Sequence, residues 1–400
     1  MHSGLKFKFK HKLMKKKKKK KKPVTDPLTT LDASPRFQQA NNNMTTLSRK
    51  TYAIAGIQTT VFGLDELPPQ AAEVACLWLL HPRLATLERM TAIATAVIVD
   101  WNKRIQEGRA GPGPLPKGLI AVAFDQRNHG TRLIDPVCNE SWRDGNPRHA
   151  QDMFAIFQGT ARDVSLLIDY LPSYIFPQPN RRVSENLVLG ISLGGHAAWS
   201  CILHEPRITT GVVIIGCPDY VNLMADRARL SKLSTWTTPA GAGAGATFLG
   251  SQDFPASLLE TVARYDPASL FLSYLDLGGP EAQPIRATDA LPEPTEAQKA
   301  ALRPLFARCL AGKKILNLSG GLDKLVPYHK GEAFLEWLKR AVAPGEGWFA
   351  DCAVTFEDII DRDAGHEVTP EMFDEVVRFI GDTLAVGEEG NKAYVRESKI

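Results

Sequence analysis

The sequence predicts an α/β domain: a parallel sheet covered by helices on both faces. Three observations predict it. Short continuous apolar runs alternate with segments of helical period, as expected of strands buried on both sides. A Gly-x-Ser-x-Gly pentapeptide stands where one such run gives way to a helix. And 400 residues at 44% hydrophobic and 23% charged fall in the ordinary globular range, which excludes a fibrous or wholly disordered chain.

Taken in order, Thr51 to Gly63 (TYAIAGIQTTVFG) is rich in β-branched and aromatic residues and reads as one or two strands. Val74 to Leu80 (VACLWLL) is a buried strand. Leu84 to Ile105 follows as an amphipathic helix, with Leu87, Met90, Ala94, Val97, Ile98, Trp101 and Ile105 three or four apart. Leu119 to Phe124 is the next strand, and Gln151 to Tyr170 carries Met153, Phe157, Val164 and Leu167 at helical spacing. Strand Leu187 to Leu189 leads into a helix from Gly194 to His204, and Val212 to Ile215 is another buried strand.

After Asp219 the alternation lapses for some ninety residues, which hold the Gly/Ala tract Ala240 to Ala246 and the Pro-rich stretch Leu291 to Thr295; this reads as an inserted, partly helical cap. The Gly/Ala tract lacks the GK[ST] ending of a phosphate loop and reads as a hinge or lid edge. Apolar cap residues such as Phe248, Phe254, Leu258 and Phe271 are expected mostly in the cap's core. The alternation resumes with strand Lys314 to Ser319, a helix over Glu332 to Val342, strand Ala353 to Phe356, and a last helix with Thr369 as N-cap and Pro370 at its first position.

Charge is unevenly distributed. Residues 1–22 hold twelve Lys and no acid, so the remainder carries 36 basic residues against 44 acidic ones, a charge of −8. The overall excess of +4 therefore argues nothing for nucleic-acid binding by the folded body. Lys15 to Lys22 repel one another and predict a disordered tail, either dispensable or an anionic-surface or nuclear-targeting patch. Six scattered Cys without a CxxC pair predict reduced thiols and no zinc site. A secretory h-region and an apolar run of about 18 residues are both missing, which predicts a cytoplasmic protein without a membrane span.

The pentapeptide is Gly190-Ile191-Ser192-Leu193-Gly194, a nucleophile elbow in strand-turn-helix context. A serine hydroxyl needs a base and an orienting carboxylate. Asp323, in SGGLDKLVP just past a strand end, and His366, in DAGHE between the last strand and the last helix, supply them in the order Ser…Asp…His. Asp219 competes with Asp323 but could simply open the cap, and Asp361 and Asp363 read as solvated loop charges.

With these motifs and the DQRNHG segment at Asp125 to Gly130, residues 50 to 385 resemble the α/β-hydrolase superfamily; more narrowly, Leu77 to Arg83 with DQRNHG and the SKL…FLGSQDFP cap resembles its uncharacterised fungal members. The resemblance implies a mostly parallel eight-stranded sheet with the cap between strands six and seven. The chain then divides into the Lys-rich tail (1–48), first core part (49–219), cap (220–311), second core part (312–386) and a flexible C-terminal tail (387–400).

The implied oxyanion hole uses the N–H of Leu193 and one from the loop after VACLWLL. Pro82 has no N–H, so Arg83 is the second donor, with Leu84 as fallback. His81 and His129 read as loop-holding residues, His196 as helix packing, and His149, His204 and His329 as surface or hydrogen-bonding residues. The expected activity is hydrolysis of a carboxylic ester or thioester of a small-molecule acyl substrate, without metal or organic cofactor. Acyl transfer and peptide hydrolysis on the same triad are the alternatives, together with a catalytically silent binding fold, which Pro82 favours. Oligomeric state is left open.

Overall fold

The computed structural model describes residues 47–111, 116–236, 247–275, 277, 290–385 and 395–399. The poly-Lys tract and the Gly/Ala tract lie outside them. One sheet organises the chain. Strands β1 (Arg49–Ile54), β2 (Ile57–Phe62), β3 (Glu73–Leu80), β4 (Gly118–Phe124), β5 (Arg182–Ile191), β6 (Ile208–Ile214), β7 (Lys314–Gly320), β8 (Thr355–Asp361) and β9 (Val395–Lys399) pair in the order 1-2-4-3-5-6-7-8-9. The β1–β2 hairpin turns at Ala55 and Gly56, both at positive φ, and β2 runs antiparallel to β4. Every later pairing is parallel.

The helices are α1 (Thr91–Gln106), α2 (His149–Ile175), α3 (Leu193–His204), α4 (Tyr220–Ser231), α5 (Ala256–Tyr265), α6 (Pro267–Leu272), α7 (Glu296–Cys309), α8 (Glu332–Val342) and α9 (Pro370–Ala385). The period of two sorts the strand residues: Cys76, Trp78, Val188 and Val213 face α2, α3 and α8, while Leu77, Leu79, Leu189 and Ile214 face α1 and α9. This is the expected α/β-hydrolase fold, its eight strands extended by a ninth.

β9 falls in the segment read as a flexible tail, so that expectation is corrected for residues 395–399. Its sequence, VRESK, has no apolar period to betray a strand. Backbone pairing with β8 holds it instead, aided by Arg396, which reaches the fully buried Glu357 at 3.0 Å and Glu375 at 3.1 Å; Arg378 also pairs with Glu357. The helix expected from Leu84 starts at Thr91, after a 3₁₀ turn over Leu87–Met90. Leu84 sits at φ 64 and Thr86 is extended, because the Leu87 N–H is drawn to Asp125 Oδ1 at 2.9 Å. Thr369 caps α9 as expected, accepting from the Met372 N–H at 3.2 Å.

The 220–311 segment contributes α4 to α7. Its Phe248, Phe254, Phe271 and Phe306 are fully buried and join the same hydrophobic cluster as Trp199 and Trp337 from the sheet's helices. Phe306 stacks on Phe349 with centroids 4.0 Å apart. These rings therefore share the core of that face. All six cysteines are free thiols.

Asp266 caps α6 and also accepts from the Tyr220 N–H at 2.9 Å. Burial, and then the charge of Asp219, push its carboxyl up to about 7.

Two outcomes follow from this packing. Phe254→Ala and Phe271→Ala each lower the stability of a single cooperative unfolding transition by about 3–5 kcal/mol in urea titration; a segment folding separately would leave the main transition in place. For Asp266, the folded state holds a proton that the unfolded chain releases near its ordinary value of 3.8. Stability tied to that proton is complete below that value and is lost as pH rises to about 7. The melting temperature accordingly declines from pH 5 to pH 8, and Asp266→Asn flattens this dependence.

Candidate active site

The carboxyl ends of β5, β7 and β8 lie close together at one edge of the parallel sheet, the usual ligand-binding edge of such folds. At the first, β5 turns directly into α3 through Ser192, held at φ 55 and ψ −111. That conformation is rare for a residue with a side chain and persists only when the surroundings impose it. Here they do. A Cβ at Gly190 would stand 1.9 Å from the Gly194 carbonyl oxygen, and one at Gly194 would stand 2.0 Å from that of Leu80. Only glycine lets the strand, the helix and the loop after β3 approach so closely.

The loops after β7 and β8 are joined by their backbones. Gly321 N–H donates to Asp361 O at 2.7 Å and Leu322 N–H to Ala364 O at 2.9 Å. This brings together the two expected partners of Ser192. Ser192 Oγ lies 2.9 Å from His366 Nε2, and His366 Nδ1 lies 2.7 Å from Asp323 Oδ2. A carboxylate only accepts, so Nδ1 carries the proton and Nε2 presents its lone pair to the serine hydroxyl.

Asp323 Oδ1 accepts from the N–H groups of Leu325 at 2.8 Å and Val326 at 2.9 Å. Burial opposes its charge, but the hydrogen bond and charge of His366, with the two backbone donors, outweigh it and hold the carboxyl below its usual value. Asp219, the sequence competitor, instead caps α4 by accepting from Asn222 N–H at 3.0 Å.

Leu193 is the first residue of α3, so its N–H is one of the donors a helix leaves unused at its N-terminus. The loop with Pro82, Arg83 and Leu84 lies against the elbow at Gly194 and is pinned from behind by histidine. Buried His81 accepts from Gln126 N–H at 2.9 Å through Nε2, its Nδ1 lies 2.8 Å from Pro82 O, and its ring packs on His129. His196 bonds back to Ser192 O at 2.8 Å. Burial lowers both His81 and His196 to about 4, leaving them neutral at pH 7. His329 is exposed and His204 bonds the Tyr265 carbonyl.

One sequence reading is overturned. Asp361 is buried rather than solvated: it accepts from the N–H groups of Asp363 and Ala364 and from the Thr369 hydroxyl at 2.6 Å, which fixes the loop bearing His366. Its place at a strand end, three residues before Ala364, is the signature of a carboxylate folding back on its own loop. His149 takes the hydrogen-bonding alternative and is buried; its Nδ1–H donates to Glu140 O at 2.9 Å and its Nε2 lies 3.3 Å from Arg227. Arg227 itself went unnoticed, although its spacing from Leu223 and Met224 puts it on the inner face of α4.

Among the described residues no group of three or more His, Cys, Asp or Glu could hold a metal ion, and no helix is long and apolar enough to cross a membrane. No family model and no curated protein sequence matches the chain. Solved structures of similar shape include TT1662 from Thermus thermophilus, 18% identical over 85% of this chain and 99% of that one, with TM-score 0.46. Another is the Pyrococcus furiosus esterase Pf2001, 15% identical over 90% of this chain and 98% of that one, at 0.41. A puromycin hydrolase is 14% identical over 87% of this chain but only 40% of its own length, at 0.46.

The elbow geometry makes a direct prediction. Gly190→Ala destabilises the protein by about 3 kcal/mol or more, because its methyl group meets rigid backbone. Gly365→Ala, whose Cβ would meet nothing nearer than Glu367 Oε1 at 3.6 Å, changes stability little. Chemical denaturation of the two variants beside wild type checks both.

Proposed function

We propose that the chain is a serine hydrolase that cleaves a carboxylic ester or thioester through an acyl-enzyme on Ser192. The observation that carries this reading is the continuous hydrogen-bonded series from Ser192 Oγ through His366 to Asp323 at the head of α3. As the hydroxyl attacks the scissile carbonyl, His366 Nε2 takes its proton, and the buried Asp323 carboxylate stabilises the imidazolium and fixes its tautomer. The developing oxyanion is held by the N–H groups of Leu193 and Arg83, with Leu84 as the alternative second donor and Pro82 unable to serve.

His366 then returns the proton to the departing alcohol or thiol. Water enters, gives its proton to the same nitrogen, and attacks the acyl carbon, releasing the acid and restoring Ser192. Esters and thioesters are preferred over amides because their leaving groups depart more readily. Every group this cycle requires is supplied by the chain, so the reading calls on no cofactor.

A fluorophosphonate probe is expected to label wild type at Ser192 and to leave Ser192→Ala unlabelled, as read by intact-protein mass spectrometry. With an activated ester, Asp323→Asn lowers kcat by about 10⁴-fold through loss of the productive tautomer. A folded wild type that the probe does not modify would overturn the assignment.

A further inference from the structure

A cleft of about 110 Å³ is lined by Arg83 of the loop after β3, by Lys324 and Leu325 of the loop after β7, and by residues of α4. By the same measure a single water needs about 10–15 Å³, so the cleft admits a group of several heavy atoms. Leu325 ties it to the triad, since its N–H binds Asp323 Oδ1 while its carbonyl accepts from Arg227 Nη2 at 3.1 Å. The charge of Arg227 reaches His196 on α3, which is itself bonded to Ser192 O, so Arg227 lies in the same electrostatic neighbourhood as the elbow.

The lining has more cations than its own anions can satisfy. Arg227 is bound only by neutral groups, namely the Leu325 carbonyl, His149 Nε2 and, at 3.1 Å, Met153 Sδ. Arg83 donates to the Asn139 carbonyl. Among the described residues neither guanidinium pairs with a carboxylate. Asp226, the acid of this lining, is already engaged by Arg229 at 2.7 Å and Lys330 at 3.5 Å.

Two buried polar atoms of lining residues that lack a partner, Arg227 Nε and Trp142 Nε1, are both donors. Such a set is matched by an acceptor that only accepts. Burial and then the charge of Arg83 lower Arg227 to about 10, and burial lowers Arg83 too, against the opposing charges of Asp323 on the first and of Glu140 and Asp144 on the second.

We propose that this cleft is a subsite for an oxyanion on the substrate, held by the guanidiniums of Arg227 and Arg83. Resting on the serine-hydrolase reading, the substrate class narrows to esters or thioesters that carry a carboxylate or phosphate a short distance from the scissile bond. Planar guanidinium donors match either anion. Leu223, Leu230 and Trp142 are also in the lining and suit a short apolar linker between the two ends.

Two measurements decide this, and they separate the subsite from the chemistry. Calorimetric titration of succinate and of inorganic phosphate into wild type and Ser192→Ala is expected to show binding of at least one anion with similar Kd in both, weakening as salt is raised. Arg227→Gln weakens it about tenfold or more, and Arg227→Lys less. Failure of both anions to bind wild type at millimolar concentration, or equal binding by Arg227→Gln, overturns the subsite whether or not Ser192 is catalytic.

The second measurement is the ratio of kcat/KM for the p-nitrophenyl monoester of succinate to that for p-nitrophenyl butyrate, which is independent of the fraction of enzyme correctly folded. It is expected near tenfold or above in wild type and near 1 in Arg227→Gln. A wild-type ratio of 1 or below also overturns the subsite. If wild type turns over neither ester, the hydrolase reading fails while the titration still decides the subsite.

Discussion

Everything at the candidate site depends on backbone meeting backbone without side chains between. Ser192 projects its hydroxyl from the end of β5 because the chain there is compressed against Gly194 and the Leu80 carbonyl, contacts that any Cβ at Gly190 or Gly194 would forbid. Gly320 and Gly321 do the same for the loops that carry Asp323 and His366, letting the chain after β7 lie against the chain after β8. The geometry of the candidate site is thus set by main-chain contact, and the side chains inherit it.

Preorganisation of this kind has a recognisable electrostatic counterpart. The imidazoles packed near the elbow, His81 and His196, are neutral because they are buried, while Asp323 keeps its charge because two backbone donors and His366 hold it. His366 is therefore the imidazole with both a carboxylate behind it and a hydroxyl in front. Asp361 and Asp125 act one step further out: each spends its oxygens on the N–H groups of a loop that borders the site.

The strands buried on both faces and the three residues of the Ser192–His366–Asp323 hydrogen-bonded series were legible in the sequence because each has a local signature: a continuous apolar run, or a polar residue with glycine at fixed offsets. What escaped was non-local. β9 has no apolar period and exists through pairing with a strand some 35 residues earlier. The true start of α1 is set by Asp125, at the end of the neighbouring strand β4. Arg227 looks like one more charge on an amphipathic helix until α2 and the Asp323 loop close over it, and Asp361 looks solvated until Thr369 folds back onto it. The aromatic residues of the 220–311 segment showed their hydrophobicity plainly, but not that they would share a core with α3 and α8.

The added strand alters what the sheet shows to its surroundings. A long parallel sheet ordinarily offers two rows of unpaired amides and carbonyls on which another copy could build. In this chain β8, whose Glu357 and Asp358 are fully buried, is shielded by a short strand bearing an arginine, and the opposite flank is a hairpin whose outer residues are largely polar. Both flanks thus meet a second sheet with polar and charged strands rather than apolar ones, which discourages edge-to-edge pairing.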